Sequence, residues 1–397
     1  MVMHRRHFLA SLASSSLVFV AGRLFAAPPS SPRFLLVFLR GGYDCANMLV
    51  PYSSDFYYAA RPNIAIARPD PTAAGGSVRL DADWALAPAL RESIGQLYAN
   101  KQAAFVPFAG TDDLSRSHFE TQASIERGQP LDQHDYRSGF MARLASILAD
   151  RAPSIAFTDA QPLVFAGNAD IPNISLRALS KPAFDDRQTA LLAGMYQEHH
   201  LHGAVSEGLE LRQQIAKEFE AEMQKANRGA VTASGFANEA TRIARLMREQ
   251  YRLGFVDIGG WDTHVNEGGA AGQLANNLDN LGRGLATFAQ ELGPEWKNTV
   301  VVVVSEFGRT LRENGNRGTD HGHGSVYWVL GGGISGGRVV GEQLKVQQST
   351  LVQDRDYPVL NNYRALLGGI YSRLWGLSSK HVEYVFPQAK PVDLRLV

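Results

Sequence analysis

The sequence predicts an α/β fold, with a mainly parallel central sheet and helices on both faces. Three observations predict it. Phe34–Leu39 and the five successive valines after Thr299 are continuously apolar, as expected of strands buried on both faces of a parallel sheet. Strand-like runs alternate with helix-patterned segments, which calls for a sheet covered on both sides. Residues able to bind metal recur just after the strand-like runs, where open α/β sheets hold their ligands.

Composition narrows the classes. The 397 residues carry 39 Lys+Arg against 39 Asp+Glu, without the basic excess that a nucleic-acid binder needs. One cysteine, Cys45, rules out an intramolecular disulfide framework, a Cys-based zinc knuckle and an Fe–S cluster. A hydrophobic content of 45% rules out wholesale disorder.

Taken in order, residues 1–26 read as an export signal. Arg5 and Arg6 precede an apolar stretch diluted by Ser14, Ser15 and Ser16, and Ala26-Ala27 stands before Pro28. The stretch is too short and polar to span a bilayer, and the paired arginines indicate the twin-arginine export machinery, with cleavage after Ala26. The expected product is periplasmic, with no stable membrane anchor. Its loss takes Arg5, Arg6 and Arg23 but no acid, leaving 36 basic against 39 acidic residues.

Residues 27–397 are expected to form a single domain. Phe34–Leu39 is the first strand, and Arg40-Gly41-Gly42-Tyr43-Asp44 the loop that ends it. The spacing of Leu86, Leu90, Ile94 and Leu97 predicts a helix over 84–99. Ala103–Ala109 is a second strand, and 117–127 and 138–149 are helical. The charged stretch at about 186–252 is a helical insertion of one or two long surface helices. A strand at Gly254–Ile258, a helix at 273–292, strands at Thr299–Val304 and Tyr327–Leu330, and a closing helix at Tyr363–Leu374 complete the pattern.

The candidate site collects five loops. Asp44 follows the first strand, Ser115, Ser117 and His118 the second, and Asp262 and His264 the third. Glu306 and Arg309 close the valine run, with Asp320, His321 and His323 soon after. Asp44 read alone is equally a turn residue, and Asp262-Thr263-His264 a loop with a satisfied histidine. Glu306 is harder to place structurally, since an unpaired carboxylate beside a buried strand is costly. Together Asp44, Asp262, His264, Glu306, Asp320, His321 and His323 form a mixed N/O set suited to zinc, manganese or iron. Seven candidates exceed one four-coordinate site, so either two metals bind or some of these residues support the ligands. The tract His199-His200-Leu201-His202 reads as a solvated cluster, Cys45 as a small buried filler, and the glycine runs near 331–337 as turns.

The motifs Leu-Arg-Gly-Gly-Tyr-Asp (39–44), Ser-His-Phe-Glu-Thr-Gln (117–122), Gly-Trp-Asp-Thr-His (260–264), Ser-Glu-Phe-Gly-Arg-Thr (305–310) and Gly-Thr-Asp-His-Gly-His-Gly (318–324) resemble the DUF1501 family. This is a family of exported bacterial proteins grouped with the alkaline phosphatase/sulfatase-like superfamily. The resemblance implies an alkaline phosphatase-like sheet with one or two divalent metals at its C-terminal edge and a hydroxyl nucleophile. Ser117 matches that position best, with Ser115 in reserve. Asp44, Asp262, His264, Asp320, His321 and His323 match metal positions.

On this footing the expected activity is metal-dependent hydrolysis of phosphate or sulfate esters in the periplasm, acting on a small anionic ester or glycan. Ser117 would attack from a helix N-terminus, His118 would position the leaving group, and Arg309 would clamp non-bridging oxygens. The alternative is a catalytically inactive periplasmic binding or assembly protein that keeps the fold and, with it, a structural metal or only the polar network. An oxidoreductase using His/Asp-bound iron is a third reading.

Overall fold

In the computed structural model the described residues are 31–397 except 71, 74, 168–170 and 176–229. The export signal, the histidine tract at 199–202 and most of the expected insertion lie outside them.

The chain forms β1 (Arg33–Leu39), β2 (Leu49–Val50), α1 (Asp55–Ala60), β3 (Val78–Arg79), β4 (Ala85–Leu86), α2 (Ile94–Ala99) and β5 (Ala103–Gly110). It continues with α3 (His118–Arg127), α4 (Phe140–Leu148), β6 (Ser154–Phe157), β7 (Val231–Thr232), α5 (Ala233–Glu249) and β8 (Leu253–Gly259). The last part holds α6 (Gln273–Leu292), β9 (Thr299–Ser305), β10 (Ser325–Leu330), β11 (Arg338–Val339), β12 (Asn361–Asn362), α7 (Tyr363–Trp375) and α8 (Ser379–Val385).

The central sheet runs β11-β5-β10-β9-β1-β8-β6, with β12 beside β5 and β7 beside β8. β1 pairs in parallel with both β8 and β9, and among the described strands of this sheet β10 alone runs against both its neighbours, β9 and β5. β2, β4 and β3 make a small separate antiparallel sheet.

The apolar runs explain the central position of β1 and β9. Alternate residues of a strand face opposite sides. Leu35, Val37, Leu39, Val301 and Val303 enter one core, and Phe34, Leu36, Phe38, Val300, Val302 and Val304 the other. On the first face α6 buries Leu274, Leu278, Leu281, Leu285, Phe288 and Leu292, a stripe at helical spacing. It packs against α5 at Gly284, where a β-carbon would come within 2.7 Å of the Phe236 ring.

The helix expected over 84–99 is replaced by β4, a 3-10 turn at Pro88–Leu90, and α2. Pro88 removes a backbone donor, and Leu86 pairs instead with Leu49 and Val78 in the small sheet. In the expected insertion the described part holds β7 and one helix, α5, on which Arg242, Arg245 and Arg248 are exposed. Phe236, Ala240, Ile243, Ala244 and Met247 are buried along it.

The consequence for function is geometric. β1, β5, β8 and β9 all end at one edge, and β10 begins there, so five loops meet. Gly41 makes one close crossing: at φ of 121° its absent β-carbon would lie 2.7 Å from the Asp262 nitrogen. Side chains rarely adopt that backbone conformation, and here there is no room for one.

Candidate functional site

α3 starts where the loop after β5 reaches the sheet edge. Ser117 caps it, accepting from the Glu120 nitrogen at 3.5 Å, and His118 occupies its first turn, buried. His118 Nδ1 lies 2.8 Å from Glu306 Oε1. That carboxylate also accepts from the Gly41 nitrogen at 2.8 Å, Gln122 Nε2 at 2.9 Å and Ser305 Oγ at 3.0 Å. Glu306, the residue after β9, is thus held by the loop after β1, by Ser305 and by α3, and it fixes the His118 ring.

The other ring nitrogen of His118 meets the loops after β8 and before β10. Its Nε2 lies 2.9 Å from His321 Nε2 and 3.5 Å from Asp262 Oδ2. His321 Nε2 lies 3.3 Å from Asp262 Oδ1. His321 is oriented in the same way from behind, its Nδ1 being 3.1 Å from the Arg116 carbonyl. Arg116 has a φ of 54°, and its guanidinium is tied to buried Asp356. His264 stands on the other side of the carboxylate, with Nε2 2.9 Å from Asp262 Oδ1 and 3.1 Å from His321 Nε2. Its Nδ1 faces Asp320 at 3.4 Å.

His118, Asp262 and His321 therefore present one atom each to a common point, and three tests of metal fitness are met. A tetrahedral zinc at about 2.0–2.1 Å from its ligands sets those ligands roughly 3.3 Å apart; His118 Nε2 lies 2.9 Å from His321 Nε2 and 3.5 Å from Asp262 Oδ2, and His321 Nε2 lies 3.3 Å from the other oxygen of that carboxylate. Asp262 Oδ2 is buried with no partner closer than His118 Nε2 at 3.5 Å, an expensive state unless a cation stands beside it. Both histidines have Nδ1 engaged by an oxygen and Nε2 turned inward, the usual arrangement behind a metal ligand.

The electrostatics agree. Burial raises the Asp262 pKa, but Arg309 and three histidines overcome it and hold the carboxyl far below the ordinary range. Burial lowers the pKa of His321, which favours the neutral ring a metal needs. Burial also opposes charge on His118, yet its bonds to Asp262 and Glu306 win and raise it to about 9. Without a metal, a proton on His118 offsets the two carboxylates. Glu306 in turn is held down to about 2: burial raises it, and His118 and Gln122 more than reverse that.

The remaining expected residues separate. Asp44 lies in a different cluster, paired through both oxygens with Arg61 and facing Glu267. Asp320 is half exposed on the rim and bonds Asn314. His323 is buried near Arg116, Asp112 and Asp113, and burial lowers its pKa. Arg309 turns into the protein: its donors go to the carbonyls of Gly41, Gly42, Trp261 and Thr319 and to Asp262, with Nη1 also 3.4 Å from His264 Nε2. Ser115 contacts Thr121 at 3.3 Å. Cys45 is buried, with its thiol pushed up to about 12 by burial and by Asp44. Arg61, Gln122, Glu267 and Asp356 complete these networks beyond the expected residues. Gln122 alone carried a signal, lying one helical turn after His118.

Among the described residues no helix is long and apolar enough to cross a membrane. A family model described as "Protein of unknown function (DUF1501)" matches residues 31–386. No curated protein matches the chain by sequence. Among solved structures, it is similar to a protein of the alkaline phosphatase superfamily from Vibrio parahaemolyticus, with 12% identity and a TM-score of 0.36 over 76% of this chain and 60% of that one. It is also similar to the C-terminal periplasmic domain of EcEptC from Escherichia coli in complex with Zn, with 12% identity and a TM-score of 0.41 over 91% and 88%. A third similar structure is BT1596, a 2-O GAG sulfatase, with 10% identity and a TM-score of 0.38 over 88% and 71%.

Proposed function

The chain belongs to the DUF1501 family, and from that premise and the site just described we propose that it is a metal-dependent hydrolase of phosphate or sulfate esters. The observation that carries the reading is the convergence of His118, His321 and the buried Asp262 carboxylate on one point. Three protein ligands leave a tetrahedral position open, as catalytic sites do and structural sites do not.

A divalent ion held there would polarise an ester oxygen as a Lewis acid. The chain's own residues do the rest. Glu306 keeps His118 in one ring orientation, and the Arg116 carbonyl does so for His321. Arg309 holds Asp262 through Oδ1 and leaves Oδ2 to the site, so its role is positioning the ligand rather than clamping substrate oxygens. Ser117 Oγ, one residue before His118 at the N-terminus of a ten-residue helix, is the nucleophile proposed. Partial positive charge at that end favours the anionic ester group. One metal suffices, because Asp44 and His323 stand with other partners.

The substrate proposed is a small anionic ester or glycan met in the periplasm after twin-arginine export and removal of residues 1–26, with 27–397 as one domain. Protein folded in cells is assayed on aryl phosphates and aryl sulfates, alongside Ser117→Ala. Hydrolysis lost in a folded, metal-bound Ser117→Ala supports the reading. A metal-bound wild type inert towards both ester classes refutes it in favour of a binding protein that keeps the fold.

A further inference from the structure

Beneath the site lies a second, fully buried cluster of Arg61, Asp44 and Glu267, with Thr263 and Thr319; Arg61 and Glu267 belong to neither the family motifs nor the metal set. We propose that Glu267, as a neutral carboxylic acid, is the positioning residue that joins the Asp262 loop to the His321 loop and sets the spacing of the ligands. The inference rests on the metal site proposed above.

The geometry is specific. Glu267 Oε2 accepts from Thr263 Oγ1 at 2.8 Å and from Thr319 Oγ1 at 2.8 Å. Thr263 directly follows Asp262, and Thr319 stands two residues before His321. The same loops also touch through backbone, the Thr319 nitrogen donating to the Thr263 carbonyl at 3.1 Å and the Glu267 nitrogen to the Arg317 carbonyl at 2.9 Å. Gly318 lets them close: a β-carbon there would lie 2.3 Å from the His264 carbonyl group. One carboxylate oxygen thus bridges the two threonines that flank the ligands.

The other oxygen fixes the protonation state. Glu267 Oε1 is buried, receives no N–H or O–H from elsewhere among the described residues, and faces Asp44. Asp44 is held as the charged partner: Arg61 donates to both of its oxygens and the Ala46 nitrogen donates to Oδ1, which leaves Oδ2 able to accept one more bond. Arg61 is itself anchored on the Leu311 and Thr310 carbonyls and on Asn47, with Tyr57 beside it. Two buried anions against one guanidinium would leave a charge uncompensated, which is strongly unfavourable. A proton on Glu267 Oε1, donated to Asp44, satisfies the orphan atom and balances the cluster. Burial first, and then the Asp44 charge, push the Glu267 carboxyl well above its usual range, in support of that geometry.

The test exploits the fact that glutamine copies a protonated glutamate. Its amide donates to Asp44 and its carbonyl accepts both threonine hydroxyls, whereas leucine keeps bulk and loses both functions. The full chain is titrated with cobalt(II), and visible absorption gives both affinity and ligand geometry. Glu267→Gln is expected to keep the wild-type spectrum and an affinity within about threefold, while Glu267→Leu and the double variant Thr263→Val/Thr319→Val lose about ten- to a hundredfold with altered bands. The double variant decides the matter if Glu267→Leu fails to fold.

Loss in Glu267→Gln as large as in Glu267→Leu overturns the neutral-acid assignment. Wild-type affinity and spectrum in the folded double variant overturn the positioning role. If the wild type binds no cobalt, the metal reading fails by itself. Histidine-selective NMR of the metal-free protein then decides, with unchanged His118 and His321 ring signals in the double variant overturning this inference too.

Discussion

Replacing Glu306 by glutamine separates a ligand from a residue that orients one. The Glu306 carboxylate accepts three bonds on Oε1, from His118 Nδ1, Gln122 Nε2 and the Gly41 nitrogen at 2.8–2.9 Å, and one on Oε2 from Ser305 Oγ at 3.0 Å. A glutamine with its carbonyl in place of Oε1 keeps the first three, and its amide donates to the Ser305 hydroxyl, so only the charge is lost. A hydrogen bond to a charged group contributes about 1.5–3 kcal/mol against about 1 for a neutral one. The His118 imidazole should therefore weaken as a donor by about 0.5–2 kcal/mol, or about two- to thirtyfold in metal affinity at 1.4 kcal/mol per decade. Zinc titration against a chromophoric chelator measures this directly. Affinity unchanged within about twofold would refute the coupling through His118, and a loss beyond about a thousandfold would make Glu306 a ligand itself.

Five further outcomes follow from the same geometry. In metal-free protein, charge on His118 contributes stability that is complete below about pH 6.5 and is lost as pH rises through about 9, because the folded pKa is the higher one. Zinc binding near neutral pH should accordingly release close to one proton, and affinity should climb until about pH 9; calorimetry in buffers of different ionisation enthalpy reads both. Arg61→Leu strands the buried charge of Asp44 and should cost about 3–5 kcal/mol in urea unfolding, whereas a cost below about 1 kcal/mol would deny the pair its central place. Saturating zinc should raise the unfolding free energy by about 2.7 kcal/mol at a hundredfold excess over its dissociation constant, an increment that His321→Ala abolishes. Ser117→Ala should leave zinc affinity within about twofold, since its hydroxyl is no ligand; a larger loss would place it in the coordination sphere.

The strands were legible because burial on both faces leaves a run of apolar residues with nothing to interrupt it. Strand β1, strand β9 and helix α6 stand within a residue or so of their expected bounds. Residues 84–99 misled because Leu86, Leu90, Ile94 and Leu97 repeat at helical spacing while Pro88 breaks the backbone between them. The sheet edge was legible too, since polar residues straight after buried strands have few places to go. What did not show was pairing across distance. Asp44 is claimed by Arg61, 17 residues along, and no local pattern marks that arginine. His321 and His323 look equivalent in sequence, yet His321 pairs across to Arg309 and joins the site, while His323 packs beside Asp112, Asp113 and Arg116. Arg309 looked outward-reaching by its type, but four backbone carbonyls at the loop crossing absorb its donors.

Elemental analysis of the purified, cell-folded protein is the most direct test of the central claim. The account predicts about one divalent ion per chain, lost in His118→Ala and His321→Ala and retained in Asp320→Ala and His323→Ala. Less than about half an equivalent in the wild type, or undiminished metal in His321→Ala, would contradict it.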